Sequence, residues 1–199
     1  MNEFLSMTPI FSFFLGIGLA AATGFRIFLP LFVLSLVVKF GDGFIPMDDS
    51  WLWIGSTPAL ITLGVAMFVE VAAYYIPLID NMLDSIAVPL AAIAGTLAVG
   101  VTLPEMNEIA TWALAIIAGG GTAATISGTT ATARAVSTTT TAGAGNFLVN
   151  TGETLGAMFM SVTAIALAPL AFLIAVVVLY FCYRIFKNIK RNVKPLVAE

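Results

Sequence analysis

The chain has no histidine, a single cysteine and few charges: Asp, Glu, Lys and Arg make up 10% of its 199 residues. Without imidazole there is no base for a Ser-His or Cys-His nucleophilic pair, and no His-ligated zinc or haem. Cys182 alone cannot close an intramolecular disulfide or build a thiolate cluster. A soluble domain carries about 25% charged residues. The shortage here, beside 60% hydrophobic residues and a mean hydropathy of +1.04, excludes a disordered chain, a nucleic-acid binder and an ordinary soluble enzyme. An integral membrane protein remains, with apolar runs exceeding the ~20 residues that span a bilayer.

Those runs define the expected organisation. Residues 9–40 as one helix would be roughly 48 Å long against a hydrocarbon core of about 30 Å. Gly24, Arg26 and Pro30 in its middle predict a break near Gly24. Spans follow at 58–76 and 85–103, joined by a short polar turn holding Asp80 and Asp84. A fourth run starts near Ala110 and reaches Gly121. Residues 122–150 read TAATISGTTATARAVSTTTTAGAGNFLVN, too polar for a lipid-facing helix and too poor in charge for a soluble linker. The inside of a bundle is the expected place, with 137–150 forming a short helix or re-entrant element. The last run, 155–186, is expected to kink at Pro169.

The formal net charge is −3, but the placement of charge says more. Arg184, Lys187, Lys190, Arg191 and Lys194 make 184–199 a basic tail, cytoplasmic by the positive-inside rule. The acidic stretch 41–56, with Asp42, Asp48 and Asp49, is then outside, Asp80–Asp84 inside, and Glu105 and Glu108 outside. Residues 1–7 lack the basic region of a signal peptide, so the first run is expected to be retained. The expected fold is all-α: one polytopic helical bundle over 1–199 with five to six membrane-embedded segments and broken or re-entrant helices. GLAAATG before Arg26 and GTAATISG before Arg134 echo each other, with Glu70 and Glu153 one to each half. This suggests an inverted repeat.

Arg26, Glu70, Arg134 and Glu153 fall at membrane depth, where each costs roughly 2.5–3.5 kcal/mol or more if it faces lipid. They are expected to turn inwards and pair, either as register-fixing ion pairs or as a charged translocation site. Thr130, Ser137, Thr138 and Asn146 offer neutral hydrogen-bonding groups beside Arg134, for a pathway or for helix packing. Asp80 and Asp84 have the spacing of a weak hard-cation site, or of acids opening a helix. They lack the longer pattern of a membrane phosphotransferase, and Ser127 lacks the base of an intramembrane protease.

The segment GLAAATGFRIFLP, 18–30, resembles the opening motif of a bacterial family of small membrane proteins catalogued as domain-of-unknown-function family 4126. Glu70 through Pro77 to Asp80 and Asp84, then Arg134-Ala135-Val136-Ser137-Thr138 through Gly143 to Gly145-Asn146, follow the same pattern in order. The family often carries an acidic and a basic residue where this chain has Tyr74 and Tyr75, and a His-containing stretch where Ser85-Ile86-Ala87-Val88 stands. Any metal or proton role resting on those positions does not carry over. The resemblance implies a bacterial inner-membrane protein and no activity.

The expectation is a non-enzymatic membrane transporter or channel for an ion or small solute, anions included, with no cofactor. Arg26 and Arg134 lie in its pathway, and Glu70 or Glu153 is the coupling acid. A scaffold or assembly factor, or a protein that handles lipid phosphate, is the alternative. Partners are the bilayer and the solute or ion, with homo-oligomerisation open and nucleic acid excluded. A reporter fused after Glu199 is expected to be active in the cytoplasm; activity confined to the periplasm would reverse the topology.

Overall fold

Away from water, an apolar run must satisfy its own N–H and C=O groups, and a helix does so within one segment. The computed structural model describes residues 2–41, 43–45, 47, 49–103 and 107–193. Asp42, Asp48, Glu105 and Lys194 lie outside the described residues. The described elements are α1 (Asn2–Phe25), α2 (Phe28–Phe40), a 3-10 segment (Asp49–Gly55), α3 (Thr57–Ala73), α4 (Pro77–Thr102), α5 (Glu108–Leu114), a π-helical turn (Ala115–Gly120), α6 (Gly121–Thr141), α7 (Asn146–Ala166) and α8 (Ala168–Val193). No strand occurs among the described residues.

Among the described residues three helices are long and apolar enough to cross a membrane: Ile79–Thr102, Glu108–Thr141 and Ala168–Asn188. A fourth is reached if Asp49–Gly55 and Thr57–Ala73, bent by 58°, count as one span.

The break in the first run falls at Arg26–Ile27, as Gly24 and Pro30 led one to expect. Three other boundaries differ from expectation. Asp80 and Asp84 are not in a turn. Pro77 opens α4 and the Asp80 N–H donates to the Ile76 carbonyl at 2.9 Å, so both aspartates stand on the helix. Residues 137–150 form no separate short helix. α6 continues to Thr141, and Ala142 (φ 51°) and Gly143 (φ 87°) turn the chain in the left-handed region before α7 begins. Hydroxyl return bonds satisfy the threonines within the continued helix: Thr139, Thr140 and Thr141 each donate to a carbonyl three or four residues back. The last run is two helices parted at Leu167, with Pro169 in the first turn of α8 where its missing N–H costs nothing.

Small side chains fill the inside. Ala87, Ala91, Ala94 and Ala98 bury one stripe of α4, and Ala168, Ala171 and Ala175 one stripe of α8. Large apolar side chains face outwards, among them Phe68 on α3, Phe159 on α7 and Val177 on α8. The two largest fully buried side chains are arginines, Arg26 and Arg134. This inverts a soluble protein and is the distribution a lipid solvent favours, where helices associate by close packing. Trp51 and Trp112 approach with ring centroids 6.4 Å apart, beside the exposed Trp53, as an aromatic group at one end of the bundle.

Close approach requires glycine at several crossings, Gly18 and Gly95 among them. A Cβ on Gly18 would lie 2.8 Å from Ala171 Cβ and 2.9 Å from Ala164 Cβ; one on Gly95 would lie 2.5 Å from Ala123 Cβ and 2.6 Å from the Gly119 carbonyl oxygen. Gly18→Val is therefore expected to cost about 1–3 kcal/mol by overpacking. Gly156→Ala, with open space around it, is expected to be near neutral. Thermal unfolding in detergent compares the two.

Candidate functional site

The helix break at Arg26–Ile27 leaves the first N–H groups of α2 without intrahelical acceptors. Ile27 offers no side-chain cap. Glu70, reaching across from α3, supplies one: Oε1 accepts from Ile27 N–H at 2.7 Å and Oε2 from Phe28 N–H at 2.9 Å. A carboxylate at a helix N-terminus also meets the positive end of the dipole. Glu70 is thus spent on α2 and makes no ion pair with either arginine among the described residues.

The break also frees Arg26 to point into the bundle. Its Nε donates to Thr154 Oγ1 at 3.0 Å and its Nη2 to the Asn150 carbonyl at 2.9 Å; Nη2 lies 3.6 Å from Glu153 Oε2. The same Glu153 oxygen accepts a short hydrogen bond from Arg134 Nη1. One carboxylate therefore bridges two guanidinium groups. Arg134 turns its other edge to Asp84: Nε donates to Oδ1 at 2.9 Å and Oδ2 at 3.1 Å, and Nη2 also bonds Oδ1. Tyr74, just after α3, is shared as well, its ring centroid 4.1 Å from Arg26 Cζ and 4.7 Å from Arg134 Cζ. Arg26 and Arg134 are 1% and 2% exposed. The Asp84 side chain, at 19%, is the network's most open edge.

A second cluster adjoins the first. Asp80 lies 3.7 Å from Arg134 Nε through Oδ1, and its Oδ2 accepts from Asn146 Nδ2 at 2.9 Å. Asn146 Nδ2 also reaches Thr138 Oγ1 at 2.9 Å. Equal register makes the convergence: Arg134, Asp84 and Glu153 stand seven residues from Thr141, Pro77 and Asn146. At 1.5 Å per residue they form one layer roughly 10 Å from those helix ends.

The expected residues thus fall into groups. Arg26, Arg134, Glu153, Asp80 and Asp84 converge. Asn146 joins them through Asp80, and Thr138 through Asn146; the Ser137 hydroxyl is buried beside Gly145 without a hydrogen-bond partner. Glu70 is adjacent as a cap rather than a partner. Thr130 does not join, because its hydroxyl donates to the carbonyl of Ser127 in its own helix at 3.1 Å. Burial of the 122–150 segment holds for Thr122 to Arg134 in large part but fails at Thr139, Thr140 and Thr141, which are exposed. Their hydroxyls are already satisfied within α6. Asp80 and Asp84 do not chelate together, since Asp84 is taken by Arg134. Among the described residues no group of three or more His, Cys, Asp or Glu is placed to hold a metal. The echoing motifs differ locally: Arg26 sits in a break, Arg134 inside a continuous helix.

Two contributors escaped the sequence reading, Thr154 and Tyr74. Asn150 donates to the Tyr74 carbonyl in a short hydrogen bond, and Thr154 accepts from Arg26. Together with Asn146 and Glu153 they recur at helical spacing, a polar face hidden when residues 137–150 are set apart from the run that follows. Tyr74 had no such signal, because two arginines from distant segments create its role.

Fold and site define the class: an all-helical bundle, with helices long and apolar enough to cross a membrane, closed around a buried guanidinium–carboxylate network. The chain belongs to the family described as Domain of unknown function (DUF4126), whose model matches residues 13–188 and so takes in the whole network. No curated protein and no solved structure matches the chain.

Removing one partner of a buried ion pair costs about 3–5 kcal/mol, mainly by orphaning the other charge. Arg134→Ala is expected to lose that much. Adding Asp84→Asn is expected to recover part of it, whereas adding Glu70→Gln is expected to deepen the loss near-additively, because Glu70 serves α2 instead. Thermal unfolding of the three variants in detergent checks this.

Proposed function

We propose that this protein is a small membrane transporter or channel in which the buried network binds and releases a cation or proton. The charge count carries the reading. Arg26 and Arg134 face Glu70, Asp80, Asp84 and Glu153: two positive against four negative, a net −2 with every group ionised. The α2 N-terminus offsets Glu70. Glu153 is shared between two arginines, and Asp80 touches Arg134 only at 3.7 Å. Uncompensated charge in a low dielectric is costly, so a group that brings positive charge is favoured there. An anion is disfavoured, because only Nη1 of Arg26 lacks a partner on the two guanidinium groups. Lipid phosphate is disfavoured for the same reason. Asp84 provides the exposed edge through which exchange would occur.

In this reading the embedded segments number five to six. The broken α1–α2, the bent 3-10 segment with α3, α4, α5–α6, α7 and α8 supply them. The chain lies in a bacterial inner membrane with the basic tail cytoplasmic, and the network sits nearer the cytoplasmic face. A second reading, a non-transporting scaffold, is favoured by how completely the arginines are paired.

Flux in proteoliposomes separates the two. Vesicles loaded with a pH-sensitive dye, under an imposed potential with H+, Na+ or K+ as the only permeant cation, are expected to show protein-dependent cation flux. Glu153→Gln is expected to lower that flux at least tenfold while the protein still assembles. Flux no greater than in protein-free vesicles for all three ions would leave the scaffold.

A further inference from the structure

We infer that Asp80 Oδ1, Asn146 Oδ1 and Ser137 Oγ are ligand atoms of an alkali-cation site between the start of α4, the end of α6 and the start of α7. The inference rests on the cation reading above and names its chemistry. These three side-chain oxygens are buried and have no hydrogen-bond partner; Asp80 Oδ1 has the long 3.7 Å approach to Arg134 Nε and no shorter contact with it. A native interior leaves few such groups, and each calls for a reason.

Their orientation follows from their neighbours. An ionised carboxylate only accepts, so the amide nitrogen of Asn146 must face Asp80 Oδ2, where it lies at 2.9 Å. The second amide hydrogen goes to Thr138 Oγ1, also at 2.9 Å. The Asn146 carbonyl oxygen is left as the free end of a clamped amide. Ser137 departs from most of its run. Thr125, Thr129, Thr132, Thr139, Thr140 and Thr141 return their hydroxyls to their own helix, and Ser137 does not. A Cβ on Gly145 would lie 2.5 Å from Ser137 Oγ, so that hydroxyl rests against the backbone next to Asn146. Asp80 stands in the first turn of α4, where the helix end favours the ionised form, and Ser137 in the last turns of α6, whose negative end favours a cation.

One carboxylate with amide and hydroxyl oxygens suits a singly charged hard cation. Ca2+ and Mg2+ draw on oxygen sets richer in acid or water, and no three-acid group exists among the described residues.

The test is thermal unfolding of the purified full chain in detergent, in NaCl, KCl or choline chloride at equal ionic strength. Na+ or K+, but not choline, is expected to raise Tm saturably, by roughly 5–10 °C at a hundredfold excess over Kd. Ser137→Ala is expected to weaken the apparent affinity at least tenfold, and Asp80→Asn to abolish the effect. Thr130→Val, whose hydroxyl serves its own helix, is expected to keep it. Equal Tm in the three salts overturns the site, as does stabilisation by Ca2+ or Mg2+ alone, or an alkali effect undiminished in both Ser137→Ala and Asp80→Asn. If Asp80→Asn fails to fold, Ser137→Ala decides. An alkali effect on Tm without flux in vesicles sinks the transport reading and leaves the site standing. Proton flux without any alkali effect does the reverse.

Discussion

Two guanidinium groups held away from water set the terms for the rest of this structure. A buried arginine cannot shed its proton, so every direction in which it points must be answered by an acceptor or an aromatic face. Arg26 and Arg134 are answered, at every nitrogen but Nη1 of Arg26, by groups from α4 and α7, with the Tyr74 ring between them. Each of those groups fixes an element. Glu153 fixes α7 against both arginines, Asp84 fixes α4 against α6, and the Asn150 carbonyl holds the chain break at Arg26. The network therefore sets the register of helices whose apolar surfaces would slide past one another in lipid at little cost.

That register needs backbones close enough for short side chains to reach. The alanine stripes of α4 and α8 and the glycine crossings at Gly18 and Gly95 supply the approach. Small residues at interfaces and large apolar ones outside are what association within a lipid solvent requires. The threonine run follows the same economy. A hydroxyl returned to its own helix makes α6 self-sufficient, so that Thr139, Thr140 and Thr141 can face outwards while Thr138 turns to Asn146.

The excess of acid over base is what the proposed cation reading rests on. Purely structural ion pairs would come out even. Here four carboxylates meet two guanidinium groups, one carboxylate caps a helix, and the rest crowd around Arg134 with an open edge at Asp84. On the proposed reading such a site takes up positive charge more readily than an anion, which reverses the emphasis that two buried arginines suggest when seen as isolated residues.

Composition alone determined that this chain folds as helices around an inward-facing charge, because 10% charge and long apolar runs leave a hydrocarbon solvent as the fitting surroundings. The break before Pro30 and the inward turn of Arg26, Arg134 and Glu153 were legible for the same reason: proline and burial cost act locally. Partnership was not legible. Glu70 and Asp84 are both acids near helix ends, and nothing in their immediate sequence says that one caps α2 while the other binds Arg134. The equal seven-residue offsets of Asp84, Arg134 and Glu153 from their helix ends acquire meaning only when three ends are brought side by side. Tyr74 acquires its role only when arginines 108 positions apart in the chain meet across its ring. Helix, burial and charge are properties of a segment; pairing belongs to the space between segments, and the tertiary structure alone decides it.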